Sequence, residues 1–481
     1  MRKNNILSEI QNKDFIKYGS PAVPYILSVF ADVPTMEFNK IYGKSCDVFF
    51  SCKKDYVNWA YDQKQLIDFS NFILLDLDKR ERGKFIKNLY AKWQKDVDTY
   101  VNEAIRVIDL LDKERVGILS ENELKSLFRN NYLLFKKQFA ETNILEPFSI
   151  FAQMKLPEIL KNKGVCGNIS EIIGQLTISA KKSLLAQYED DLQRLAHKVY
   201  ELKLLAKTQK IKENKKASTQ VKNFVRKYFF IENGYSQSNE LNTDKIFERI
   251  FELIKDKKRT QKKEKIKKKR NIKISFNKEE REIINLAKFF GEWQDERKKA
   301  SLIYVSVSER LLKELARVKK IPFELLKYTT AREIHDNKIP VVNNLKDRKK
   351  FSLFYFHKNK TQIFTEKEAK NISYALFNVG KKEIIRGMTT YLDRKNKIII
   401  GKVRTILTPR EFGNFQKNEI LVTGMTRPEF IPVVKNAKAI ITDEGGLTCH
   451  AAIVSREMKI PCIIGTKNAT RILREIGRAH V

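Results

Sequence analysis

Long apolar runs are missing from this chain of 481 residues. Its apolar stretches, such as Ile398-Ile399-Ile400 and the stretch from Ile460 to Ile464, are strand-sized, far short of the roughly 20 residues a helix needs to cross a bilayer. The start, Met1-Arg2-Lys3-Asn4-Asn5, is positive, but no apolar segment of the kind found in a secretory signal follows it. A soluble, cytoplasmic protein with no membrane partner is expected. Cysteine is scarce as well. Cys46, Cys52, Cys166, Cys449 and Cys462 are too few and too scattered for a disulfide framework. Cys46 and Cys52 have no second pair or histidine cluster at zinc spacing, so no metal site is expected. The first 380 residues also hold no glycine-rich phosphate loop.

What is present is a large, basic chain. Its length suggests two to four domains. Hydrophobic residues make up 42% and aromatics 10%, enough to build substantial cores. Lys and Arg number 94 against 58 Asp and Glu, a net charge of +36. Such a chain binds polyanions non-specifically at low salt. The basic residues are spread along the whole sequence, and Lys, Asn, Ile and Phe are all abundant, the mark of an AT-rich coding sequence. No specific nucleic-acid partner is therefore expected.

Residues 1–78 read as a small mixed β/α element, with alternation at Asp47-Val48-Phe49-Phe50 and Tyr56-Val57-Asn58-Trp59-Ala60 and turn signals at Gly19-Ser20-Pro21 and Gly43. Residues 79–340 read as a helical body. Phe85, Leu89, Trp93, Val97 and Val101 step by four along one face, a spacing that means core packing, and Ile105, Ile108 and Leu111 continue a similar stripe. A break near Asn162-Lys163-Gly164 and Cys166-Gly167 precedes further helices. A basic connector at 256–273 reads as a solvated face or link. After Pro340 the period changes to two, and residues 341–380 read as a β-hairpin followed by a helix starting after Thr365. Short strands and turns dominate beyond. The fold class is α+β: a mostly helical N-terminal body with a C-terminal β/α domain at 381–474.

One segment carries chemistry. From Ile440 to Gly465 the order is a buried strand, a glycine turn, a helix starting near His450 and a second strand after Pro461. Gly445 and Gly446 permit positive φ and close backbone approach, so their N–H groups can face an anion. Thr448 is placed to cap the helix. His450 then falls in its first turn, where the dipole and unpaired N–H groups favour negative charge. On geometry alone, a lone histidine at a helix start is more often an ordinary hydrogen-bonded structural residue.

The run Gly445-Gly446-Leu447-Thr448-Cys449-His450, with Arg456-Glu457 behind it, resembles the signature of the phosphoenolpyruvate-utilising enzymes. The likeness extends upstream through Gly401-Lys402-Val403-Arg404, Glu419-Ile420-Leu421-Val422-Thr423 and Thr426-Arg427-Pro428-Glu429-Phe430, and downstream to Ile460-Pro461-Cys462. It implies a swivelling domain in which His450 carries a phosphoryl group. It also implies that Gly445, Gly446 and Thr448 line the phosphoryl site. Arg456 either touches phosphate or is a buried structural partner. Residues 220–334 resemble more loosely the helical region that precedes this domain in related proteins.

In that family an ATP-grasp module and a pyruvate-binding barrel flank the histidine, and neither is recognisable here. The resemblance therefore implies a phosphotransferase component in pyruvate metabolism that binds no cofactor of its own. Mg²⁺ with ATP or phosphoenolpyruvate would act through separate ATP-grasp and pyruvate- or phosphoenolpyruvate-binding partners. A degenerate or regulatory module that keeps the swivelling fold is the alternative. The closing residues 475–481 resemble a translated sequencing adapter and are expected to be a non-native tail with few contacts, so His480 enters no functional argument.

Overall fold

The computed structural model describes residues 3–37, 43, 45–76, 79–112, 119–165, 169–177, 181–202, 212–259, 274–357, 360–377, 385–392, 398–407, 409–426, 430–445, 449–473 and 478–480. The architecture is α+β, with two sheets and a helical body.

The first sheet has five strands in the order β1-β3-β2-β4-β5. They are β1 (Phe15–Pro21), β2 (Val48–Lys53), β3 (Tyr56–Asp62), β4 (Ser352–His357) and β5 (Lys360–Thr365), each antiparallel to its neighbours. The hairpin read near residue 351 thus shares one sheet with a strand 300 or more positions earlier. Period-two side chains explain how both faces are buried. Phe49, Ala60, Leu353 and Tyr355 pack under helices Lys3–Gln11 and Glu366–Phe377. Val48, Phe50, Phe354 and Phe356 face Leu27 and Tyr328 instead. Phe49 stacks on Tyr355 at 4.2 Å between ring centroids.

Gly19-Ser20-Pro21, read as a turn, lies inside β1. Turn propensity is a local signal, and here pairing with Tyr56, Val57 and Asn58 overrides it. Pro21 is tolerated because β1 is an edge strand. The change of period after Pro340 also comes later than expected, since helix Val342–Lys350 intervenes before β4.

The body holds no strand longer than an isolated bridge among its described residues. Its helices include α1 (Lys79–Asp112), α2 (Glu121–Glu141), α3 (Leu145–Asn162), α4 (Ile169–Leu176) and α5 (Lys278–Lys319). Capping boxes start two of them. Ser120 with Glu123 opens α2, and Asn277 with Glu280 opens α5. Helix α5 ends where Lys320 turns left-handed, and Pro322 then caps the next short helix. The α1 stripe is core, as its spacing predicts. Trp93 meets Trp293 of α5 at 5.6 Å, among Leu89, Phe148, Phe151 and Phe290. Ile108 and Leu111 join the larger core with Phe135 and Tyr304. The greater part of the 256–273 basic run, like Cys166 and Gly167 at the expected helix break, lies outside the described residues.

The second sheet contains β6 (Met388–Tyr391), β7 (Ile400–Thr405), β8 (Ile420–Thr423), β9 (Ala439–Thr442), β10 (Cys462–Ile464) and β11 (Arg478–His480), in the order β11-β7-β8-β9-β10-β6. Strands β7 to β10 run parallel, and the two edge strands are antiparallel. Alternation again sorts the side chains. Leu421 and Ile440 pack on α6 (His450–Met458), while Ile420, Val422 and Ile441 pack towards Ala469. Arg478–His480 pair in register with Lys402, Gly401 and Ile400, where a tail with few contacts is expected from sequence. Ile476 and Val481 lie outside the described residues.

Candidate functional site

The unit β9–α6–β10 is a parallel crossover, so the loop from Asp443 to Cys449 emerges at the carboxyl ends of the strands, the usual ligand edge of a parallel sheet. Backbone bonds hold its start. Asp443 N–H donates to the Thr423 carbonyl at 3.1 Å, and Glu444 N–H donates to the Gly424 carbonyl at 2.8 Å. The Asp443 carboxylate accepts the Thr470 N–H at 3.0 Å and the Thr466 hydroxyl at 3.2 Å, with the Thr470 hydroxyl also donating to it. The Thr442 hydroxyl donates to the Glu444 carbonyl at 2.5 Å. The chain therefore enters the loop along a fixed path.

Gly445 has φ of +126°, a conformation that L side chains rarely adopt, and a Cβ there would lie 2.7 Å from the Cys449 Sγ. Only glycine fits both demands. The cap of α6 is Cys449, not Thr448 as the sequence suggests. Its extended backbone (φ −69°, ψ 163°) precedes the helix, and its Sγ accepts the Ala452 N–H at 3.4 Å. A thiol is a weak acceptor, which is why residue-type preference pointed one position too early. His450 is the first residue of the nine-residue α6, where unpaired N–H groups and the helix dipole favour an anion. Gly446 and Thr448 lie outside the described residues.

Arg456 is half-buried, and its Nε donates to the Ala452 carbonyl at 2.7 Å. Its guanidinium leaves the domain surface towards α4, since a Cβ on Gly174 would stand 3.0 Å from NH1. Burial pushes the Cys449 thiol up from its ordinary value, while the positive charges of Lys298 and Arg456 pull it back down. Lys298 belongs to α5, so a body cation lies near the loop.

The loop also touches the first sheet, a relationship that nothing in the local sequence pattern announces. The Glu444 carboxylate accepts the Gly19 N–H at 2.7 Å, and both groups are buried. The Tyr18 phenol is pushed up by burial and by the negative charges of Glu146 and Glu444. Glu146 is itself paired with Arg297 at 2.9 Å. Among the described residues no group of three or more His, Cys, Asp and Glu could hold a metal ion, and no helix is long and apolar enough to cross a membrane.

Residues 415–479 match the family described as PEP-utilising enzyme, mobile domain. The same part of the chain is similar to phosphoenolpyruvate synthases. It is 51% identical over 78 residues to the probable phosphoenolpyruvate synthase of Archaeoglobus fulgidus, covering 16% of this chain and 10% of that protein. Likeness to the phosphoenolpyruvate synthase of Pyrococcus furiosus is 53% over 74 residues, covering 15% and 9%. For the Aquifex aeolicus phosphoenolpyruvate synthase it is 40% over 127 residues, covering 26% and 13%. The chain thus spans about a tenth of the length of these relatives.

Proposed function

We propose that this chain transfers phosphoryl groups through a phosphohistidine on His450, carried by the β6–β11 domain. The observation that carries the reading is the position of His450 as the first residue of α6, at the carboxyl edge of the parallel strands, behind a glycine loop with obligatory backbone geometry at Gly445. A dianionic group there is favoured by the dipole and free N–H groups by about 0.3–1 kcal/mol when exposed.

The nucleophile is an unprotonated imidazole nitrogen. As its N–P bond forms, the donor's P–O bond breaks and the leaving oxygen keeps the electron pair, giving a phosphoramidate. The second step reverses the pattern on an acceptor. Gly445 and Gly446 line the phosphoryl site, and Thr448 orients the ring or phosphate. Arg456 is a positioning residue at the back of α6, its guanidinium committed to Ala452 and the α4 side. ATP or phosphoenolpyruvate, with Mg²⁺ to neutralise the moving charge, is presented by separate ATP-grasp and pyruvate-binding partners.

The test is incubation with labelled phosphoenolpyruvate or ATP, with and without such partners, followed by assay for acid-labile, base-stable label. Label in wild type and none in His450→Ala supports the carrier. A second reading, a regulatory module that keeps the swivelling fold, is favoured by the docking of the Glu444 loop on the first sheet. It predicts no label with any donor.

A further inference from the structure

Strand β1 is the outer edge of the first sheet, so half of its N–H groups face away from any strand. One of them, that of Gly19, donates to Glu444 across 425 positions of sequence. A buried carboxylate needs such a donor, and an uncovered sheet edge needs an acceptor, so each group answers the other's requirement.

The contact is also shaped for two glycines. A Cβ on Gly424, at the end of β8, would come within 2.4 Å of the Gly19 carbonyl oxygen and 3.0 Å of the Tyr56 hydroxyl. The first is a backbone atom and cannot swing aside. Beside it, β6 packs on α4 of the body, and Gly174 leaves room for the Arg456 guanidinium. Glu444, Gly424, β6 and Arg456 of the C-terminal domain thus meet two regions of the rest of the chain, the first sheet at Gly19 and Tyr56 and helix α4.

We propose that the β1 edge and α4 form a docking seat for the chain's own C-terminal domain, latched by Glu444 on Gly19. Glu444 begins the loop that leads to His450, so leaving the seat and freeing that loop are one event. In the seat Glu444 lies near Tyr18 of the first sheet, and Cys449 lies near Lys298 of the body. The seat holds whether or not His450 carries a phosphoryl group.

Hydrogen exchange measured by mass spectrometry on the full chain tests this. In wild type, peptides from β1, from the Tyr56 end of β3 and from α4 are protected. Glu444→Ala and Gly424→Ala each raise exchange in all three about tenfold, while β8 and β9 peptides stay protected and report an intact domain. His450→Ala leaves all three at wild-type rates, which separates the seat from the carrier reading. Exchange in Glu444→Ala that matches wild type, or a rise confined to the Gly19 amide, overturns the latch. Should Gly424→Ala fail to fold, Glu444→Ala decides, because truncating this carboxylate removes nothing from the β8–β9 core.

Discussion

The Trp93 and Trp293 rings meet at 5.6 Å, joining α1 to α5 in the core that also takes in Phe148 and Phe290. Trp293 is fully buried. Removing its side chain leaves a cavity that neighbouring rings fill only in part. Trp293→Ala is expected to cost about 3–5 kcal/mol. Urea denaturation followed by circular dichroism checks it, and a loss under 1 kcal/mol, the scale of a surface change, would contradict this packing.

Glu419 and Arg404 form a two-pronged ion pair, Nε to Oε2 at 3.0 Å and NH2 to Oε1 at 2.8 Å, with the Gln416 N–H on the same carboxylate. The hydrogen bonds from Arg404 hold the Glu419 carboxyl below its ordinary 4.5, against desolvation. A carboxylate with a depressed folded-state pKa adds stability above the unfolded value, and that stability drains away as pH falls through the folded value. Glu419→Gln should therefore lower the melting temperature at pH 7, and the gap to wild type should narrow below about pH 4.5. Melting curves across pH 3–8 show it. A gap that widens towards acid would give the wrong sign.

Both halves of that pair stand in stretches that carry the family likeness, Gly401 to Arg404 and Glu419 to Thr423, yet the pairing itself was not legible. The same limit recurs elsewhere. The α1 stripe was readable because helical periodicity is local, and the hairpin near Phe354 because alternation is local. That β4 would pair with β2, or that Glu444 would reach Gly19, depends on contacts across hundreds of residues that no window of sequence contains. At the site, the strand, glycine turn and helix start were legible. The cap was not, because Cys449 is a poor cap by residue type and takes the place through its backbone conformation and a single Sγ contact.

Cys449 should be inert. Burial raises its thiol, outweighing the Ala452 N–H bond to Sγ that pulls it down, so little thiolate exists at neutral pH. Alkylation by iodoacetamide at pH 7.5, read by mass spectrometry, is expected to be slower at Cys449 than in an unstructured peptide, and Cys449→Ser should not lower the melting temperature, since serine is the better cap. Rapid modification of the native protein would contradict the described contacts.

Gly445→Ala should damage the loop without unfolding the domain. An alanine at φ +126° carries backbone strain of about 1–3 kcal/mol and meets the Cys449 sulfur. The expected result is a modest fall in melting temperature with loss of most phosphoryl labelling. Full labelling at wild-type rate would mean that the loop tolerates another path.

The carrier role of His450 rests most directly on one experiment. Wild type and His450→Ala are incubated with labelled phosphoenolpyruvate or ATP and candidate partner modules, then digested to locate acid-labile, base-stable label. Label confined to the peptide containing His450, and absent from a folded His450→Ala protein, is the predicted result. Undiminished label in His450→Ala would contradict it.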